Sequence, residues 1–296
     1  MRRPESTVQI RKAEWIILAF LIYVMVAVFV MPTTHDDATP LIWINLGAIS
    51  GYGFLIWLHS TKPRKALSLV RDWLPLLFTE LAYQEMGWFT LARRGHTLEA
   101  AWVIWDRSIL RGGLKAAVET FGPVFPSVLE LAYSLTYALA PFSIVALYIF
   151  NCRNRVDRFQ FVFVLAVVLC CVQFPFWPST PPRLLFPGED FPAYVTVFRR
   201  FNWWLLGNWG IQTSVFPSAH VAGAFSAAFG MRLAMPEPKW VTRLLLVMAV
   251  LIALATVYGR YHYAADAAAG FAMAIIALAI GVLINPAGES ELRPTT

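Results

Sequence analysis

The chain has 296 residues, 58% of them hydrophobic and 14% charged, with a mean hydropathy of +0.58, values that exclude an ordinary soluble domain. The formal net charge of +6 does not point to nucleic acid: the basic residues stand in short clusters between apolar runs, where a topology signal or anionic lipid accounts for them. Cys152, Cys170 and Cys171 are too few, and too close to apolar sequence, for a disulfide framework or a zinc site.

A helix crossing the hydrocarbon needs roughly 20 apolar residues. Eight runs are candidates: 15–31, 41–58, 73–92, 124–150, 159–177, 215–234, 242–258 and 263–284. The first is longer than a signal-peptide core and has no small-x-small cleavage site before Pro32, which makes it a spanning helix. The third carries Glu80, Gln84 and Glu85, so it either crosses or lies along a surface or cavity. With eight spans and the N-terminus inside, the cytoplasmic clusters are Arg2, Arg3, Arg11 and Lys12; Lys62, Arg64, Lys65 and Arg71; Arg153, Arg155 and Arg158; and Lys239 with Arg243. That is the positive-inside pattern. Against it, Arg93, Arg94, Arg107, Arg111 and Lys115 place a basic stretch outside, in the segment 93–123. The sequence therefore predicts an all-α polytopic membrane bundle of about eight transmembrane helices.

Two of the last three spans differ from the rest. AHVAGAFSAAFG and AADAAAG are so rich in Ala, Gly and Ser that their backbones can approach closely. The same helices hold the polar residues of interest. Ser218 and His220 stand at the mouth of the sixth span, where unpaired N–H groups and the positive end of the helix dipole suit an anion. A histidine there can exchange a proton beside that anion. His262 and Asp266 are four apart and share a helix face, so the carboxylate can fix one imidazole nitrogen and leave the other as a nucleophile. Arg183, in PSTPPRLLFP, is a cation in a stiff loop able to clamp phosphate, and Arg260 is a second clamp. Arg199 and Arg200 suit lipid headgroups better.

Each residue taken singly also has a structural role open to it. A boundary histidine can cap or snorkel, and Ser218 can serve only as an N-cap. Asp266 is the exception, because an aspartate inside an Ala-rich span demands a partner, and His262 is the nearest. An intramembrane serine protease built on Ser218 and His262 lacks a Gly-x-Ser-Gly context.

FPSAHVAG followed, one helix later, by YGRYHYAADAAAG resembles the second and third signatures of the type 2 phosphatidic acid phosphatase superfamily, with PSTPPR similar to a reduced first signature. The HYxxD form and RDWLPLLFTELAY resemble the branch that includes inositol phosphorylceramide synthase. The resemblance covers about 70 to 285. It implies a six-helix phosphatase-like core within a catalytic domain over 71–285, preceded by a two-helix segment over 1–70 and followed by a cytoplasmic tail over 286–296. It also implies an integral protein of a bacterial plasma membrane, with its site on the extracytoplasmic side. The implied chemistry is metal-independent and needs no cofactor: His262 attacks phosphorus, Asp266 orients it, His220 protonates the leaving oxygen, and Arg183, Ser218 and Arg260 hold the phosphate. The substrate is a phospholipid or other lipid phosphate, diphosphate or phosphodiester, and the phosphoryl group passes to water or to an alcohol acceptor. Two basic positions of the superfamily pattern are Phe176 and Thr256 here. Fewer cations stabilise a phosphomonoester dianion less well than a phosphodiester monoanion, which tilts the expectation toward phospho-headgroup transfer. The rival from another class is a non-catalytic lipid-binding or transport protein that keeps the fold.

Overall fold

A computed structural model describes residues 9–89, 95–213 and 216–284, and all regular structure among them is helical. Arg2, Arg3, Arg93, Arg94 and the expected tail over 286–296 lie outside the described residues.

The N-terminal part is three helices, α1 (Lys12–Val30), α2 (Thr39–Thr61) and α3 (Lys65–Met86). The buried residues of α1, Ile17, Phe20, Leu21, Val24 and Ala27, follow the helical period and face the bundle core. The outer segment after α3 holds α4 (Thr97–Ile109) and the short α5 (Lys115–Glu119). The run over 124–150, expected as one span, forms one span-length unit over Val124–Ile149, within which α6 (Val124–Ser134) and α7 (Leu139–Ile149) are joined across a break in the α-helical pattern, a tighter turn over Leu135–Ala138. Pro141 explains the break: it has no N–H for the carbonyl of Tyr137, and its ring pushes that carbonyl away. Next come α8 (Val156–Cys171), the single turn α9 (Pro182–Leu185), and α10 (Val197–Trp209) in the second outer segment. The chain closes with α11 (Ala219–Ala234), α12 (Lys239–Tyr258) and α13 (Ala264–Ile284).

Among the described residues, five stretches are long and apolar enough to cross a membrane: α1, α2, the α6–α7 unit, α12 and α13. Helices α8 and α11, at 16 residues each, are shorter but sit in the middle of the bundle. Helix α8 packs against α1, α3, α11 and α13, and its apolar side chains are buried almost all round. Helix α3 runs the full height. Arg71 and Asp72 near its start meet Glu14 and Arg11 of α1, whereas Tyr83 near its end reaches the loop after α10.

The two ends of the bundle differ in charge. At one end, Asp72 gathers Arg11, Arg153 and the Tyr148 hydroxyl, Glu14 takes a two-pronged pair from Arg71, and Lys12 Nζ donates to the carbonyl of Ile284. At the other end the basic outer segment is neutralised by an acidic pair from the second one. Arg107 binds Glu189 and Asp190, Arg111 binds Asp190, and Lys115 Nζ donates to the Phe191 carbonyl. Among the residues that stood against the positive-inside pattern, Arg107 and Arg111 are thus held in ion pairs and Lys115 in a hydrogen bond.

Candidate active site

The site begins where α11 crosses α13. A Cβ on Gly270 would lie 2.3 Å from the carbonyl oxygen of Ser218, so only glycine lets the two backbones approach this closely. At that contact the Ser218 N–H donates to the Asp266 carbonyl (3.0 Å). Ser218, fully buried, is the N-cap of α11, and its Oγ accepts the Val221 N–H at 3.3 Å. The cap starts the helix just above α13 and sets His220 facing it.

His262 comes from the turn before α13. The N–H groups of Tyr261 and His262 both donate to the Thr256 carbonyl, a tight closure that holds Arg260 at φ +64°. His262 Nε2 lies 3.4 Å from His220 Nδ1. On its other side, His262 Nδ1 lies 3.4 Å from Asp266 Oδ2, which also accepts the Tyr263 N–H at 2.8 Å. The far nitrogen of His220, Nε2, lies 3.2 Å from the Tyr137 hydroxyl. One proton arrangement suits the row: His262 carries its proton on Nδ1 toward Asp266, His220 Nδ1–H faces the lone pair of His262 Nε2, and the Tyr137 O–H faces His220 Nε2. Tyr133 stacks on His220 (centroids 5.1 Å apart) and on Tyr261 (4.2 Å), which fixes the ring planes.

Arg183 closes the cleft. Its N–H donates to the Arg260 carbonyl at 3.1 Å, and its Nη1 lies 3.4 Å from the Tyr261 carbonyl. The guanidinium shares a small cavity with Tyr83, Tyr133, Phe174, His220 and His262. The structure therefore brings His220, His262, Asp266 and Arg183 together, with Ser218 beneath them as a cap. Arg260 stands apart. It is fully buried behind the cleft and paired with Asp106 Oδ2 at 2.6 Å, while its Nε and Nη2 have no hydrogen-bond partner among the described residues.

A backing layer comes from the two segments expected to be outer loops. Asp106 of α4 also accepts the Ala264 N–H (2.8 Å), which caps α13, and Glu99 accepts the Thr180 N–H (3.1 Å) just upstream of Arg183. Glu130 of α6 collects Arg199 Nη1 (2.7 Å), Asn202 Nδ2 (2.8 Å) and the Tyr261 hydroxyl (2.5 Å). Arg199, expected at the headgroups, is thus buried in an ion pair, and only Arg200 stays exposed. The signal was in the periodicity. Glu99, Val103, Asp106 and Leu110 repeat at helical spacing, as do Arg199, Asn202 and Leu206, and these are the buried faces. Tyr83 closes the RDWLPLLFTELAY stretch but was given no role there, and nothing in the sequence marked Tyr133 or Tyr137, because an aromatic residue is unremarkable in an apolar span.

The sequence profile of the PAP2 superfamily matches residues 109–280, more than half of the chain and every element of the histidine row. The chain belongs to the PAP2 superfamily. No curated protein matches it. No solved structure matches it either. PAP2 membership supports a lipid-phosphatase type of function for an integral membrane protein, with a lipid substrate drawn from a bilayer. Helices α1 to α3 lie before the matched span, so in this PAP2 protein Tyr83 reaches the cleft from outside the family segment.

Proposed function

We propose that the protein is a lipid phosphotransferase or phosphatase working through a phosphohistidine on His262, with transfer of a phospho-headgroup to an alcohol favoured over hydrolysis. The row Asp266, His262, His220, with both imidazole contacts at 3.4 Å, carries the reading. The substrate phosphate enters between the two imidazoles and replaces their contact. With the phosphate anion bound, His220 takes a second proton on Nε2 and is an imidazolium; His262 Nε2 attacks phosphorus, the bond to the leaving oxygen breaks, and that oxygen takes the proton from His220 Nδ1, which leaves His220 a neutral imidazole. Asp266 stabilises the positive charge that builds on His262. In the second half, water or an alcohol gives its proton to His220 and attacks phosphorus, which frees His262.

Charge favours the diester. Arg260 is already neutralised by Asp106, and Phe176 and Thr256 add no cation, which leaves Arg183 as the phosphate clamp. One guanidinium matches a phosphodiester monoanion better than a monoester dianion. The HYxxD resemblance to the inositol phosphorylceramide synthase branch points the same way. The basic end of the bundle, opposite the histidines, supports an extracytoplasmic site in a bacterial plasma membrane.

The test is to incubate purified protein with phospholipids labelled in the headgroup phosphate, with and without a polyol, and quench in alkali, where a phosphohistidine survives. Label should appear on the wild-type chain and be absent from His262→Ala, and a transferred-headgroup product should exceed free phosphate when the polyol is present. Label retained on His262→Ala would remove the nucleophile assignment. No turnover by the wild-type chain, with lipid binding that His220→Ala leaves intact, would favour the non-catalytic reading.

A further inference from the structure

A second cavity, about 290 Å³, opens from the histidine cleft and shares Tyr83, Ala219 and His220 with it. Its walls come from α3, the turn before α7, α8 and α11, and its lining is mainly apolar. From Tyr83 to Leu76 it follows α3 for seven residues, about 10 Å at 1.5 Å per residue. One turn further, Trp73 packs edge-on against Tyr148 in the core, where the groove stops. Polarity is graded along it. Glu80, held by Gln84 at 2.9 Å, and Tyr137 are the polar groups toward His220, Thr79 and Thr136 add a hydroxyl each beside them, and Leu76, Ala140, Phe163, Val167 and Gly223 are apolar. One side is open toward the surroundings of the bundle, past Leu77, which is 68% exposed.

Resting on the phosphotransfer reading, we infer that this groove seats the first part of the hydrocarbon chain of the lipid whose phosphate lies at His262, and that α3 sets the chain preference. The continuity with the cleft puts a chain in the groove when its phosphate is between the imidazoles. The gradient admits an amphiphile only with its polar end upward, and burying its methylenes there removes them from contact with Glu80 and the headgroup layer. The open side lets the lipid enter from the bilayer and lets the remainder of a long chain leave past Leu77. The α3 wall precedes residues 109–280, so the preference belongs to this chain's own N-terminal helices.

Gly223 offers the means of blocking the groove: a Cβ there meets the Phe163 and Val167 side chains at 3.6 and 3.7 Å, an ordinary contact, so a side chain can start from this position and extend into the groove. Gly223→Leu and Ala140→Leu would be compared with wild type on a dipalmitoyl phosphodiester lipid and on bis(p-nitrophenyl) phosphate, which has no chain. In parallel, phosphatidic acid with a diazirine on its acyl chain would be photocrosslinked and mapped. The expected result is at least a tenfold loss of kcat/KM on the lipid with less than a twofold change on the chainless ester. Crosslinks should fall on α3, α8 and α11 groove residues in wild type and drop at least fivefold in both variants. Parallel losses on both substrates, or crosslinks spread over outward residues such as Phe29 and Leu283 and unaffected by the substitutions, would overturn the inference and leave the phosphotransfer reading standing. Groove crosslinks without turnover of either substrate would do the reverse.

Discussion

Asp266 and Asp106 show how two buried carboxylates divide the work of one site. Asp266 lies 3.4 Å from Nδ1 of His262, and in the mechanism we propose it offsets the charge that builds on that imidazole and favours the tautomer with Nε2 free. Replacing it with asparagine keeps the size and loses the charge. The expectation is a fall in kcat of about 10²–10⁴-fold with little change in KM, measured on the labelled phospholipid. Asp106 touches no part of the cleft. It offsets the buried Arg260 at 2.6 Å and caps α13 through Ala264. Asp106→Ala leaves a guanidinium unpaired in the interior, which costs about 3–5 kcal/mol and should appear as a lowered unfolding midpoint in mixed micelles. The bystander Arg200, exposed on α10, should be replaceable by Gln with neither effect.

At the scale of elements, the contact of α11 with α13 decides whether the histidines meet. Gly270→Ala places a methyl against the Ser218 carbonyl, where 2.3 Å leaves no room and neither partner is a flexible side chain. The helices must part, and activity should fall by at least tenfold even where the protein still folds, with loss of the phosphoenzyme as the readout. The outer segments make a separate prediction about acid. Partial burial pushes the Asp190 carboxyl up, but Arg111 and Arg107 outweigh this and hold it below the usual carboxylate range. A carboxylate depressed by folding contributes its full share at neutral pH and loses it as pH falls through the lowered value, so the clamp between α4 and the 186–191 turn should release only below about pH 4. Hydrogen exchange of 187–195, corrected for intrinsic rate, should rise in that window, and Asp190→Asn should abolish the transition by loosening the turn at every pH.

Over the whole molecule, the eight apolar runs and the histidine motifs were legible because hydropathy and a four-residue spacing are local properties of the chain. The fold of the outer segments was not, since α4 and α10 bury polar faces, Glu99 with Asp106 and Arg199 with Asn202, whose partners lie up to 158 positions away. The pairing of Arg199 with Glu130 depends on that folding and has no counterpart in composition. The ends of the bundle carry the last prediction. Arg71 and Glu14 are buried together at 2.6 Å and join α3 to α1, so Glu14→Ala strands a cation and should lower stability by about 3–5 kcal/mol, read as the same unfolding midpoint. Far from there, the amide of Ser218 is tied to the carbonyl of Asp266, one residue heading the helix that carries His220 and the other lying one turn after His262. The gap between the two imidazoles is therefore spanned by the polypeptide itself. Exchanging the side chains that line the chamber can retune what it admits, while the stride between the two imidazoles stays set by this tie and by the bare Gly270 beside it.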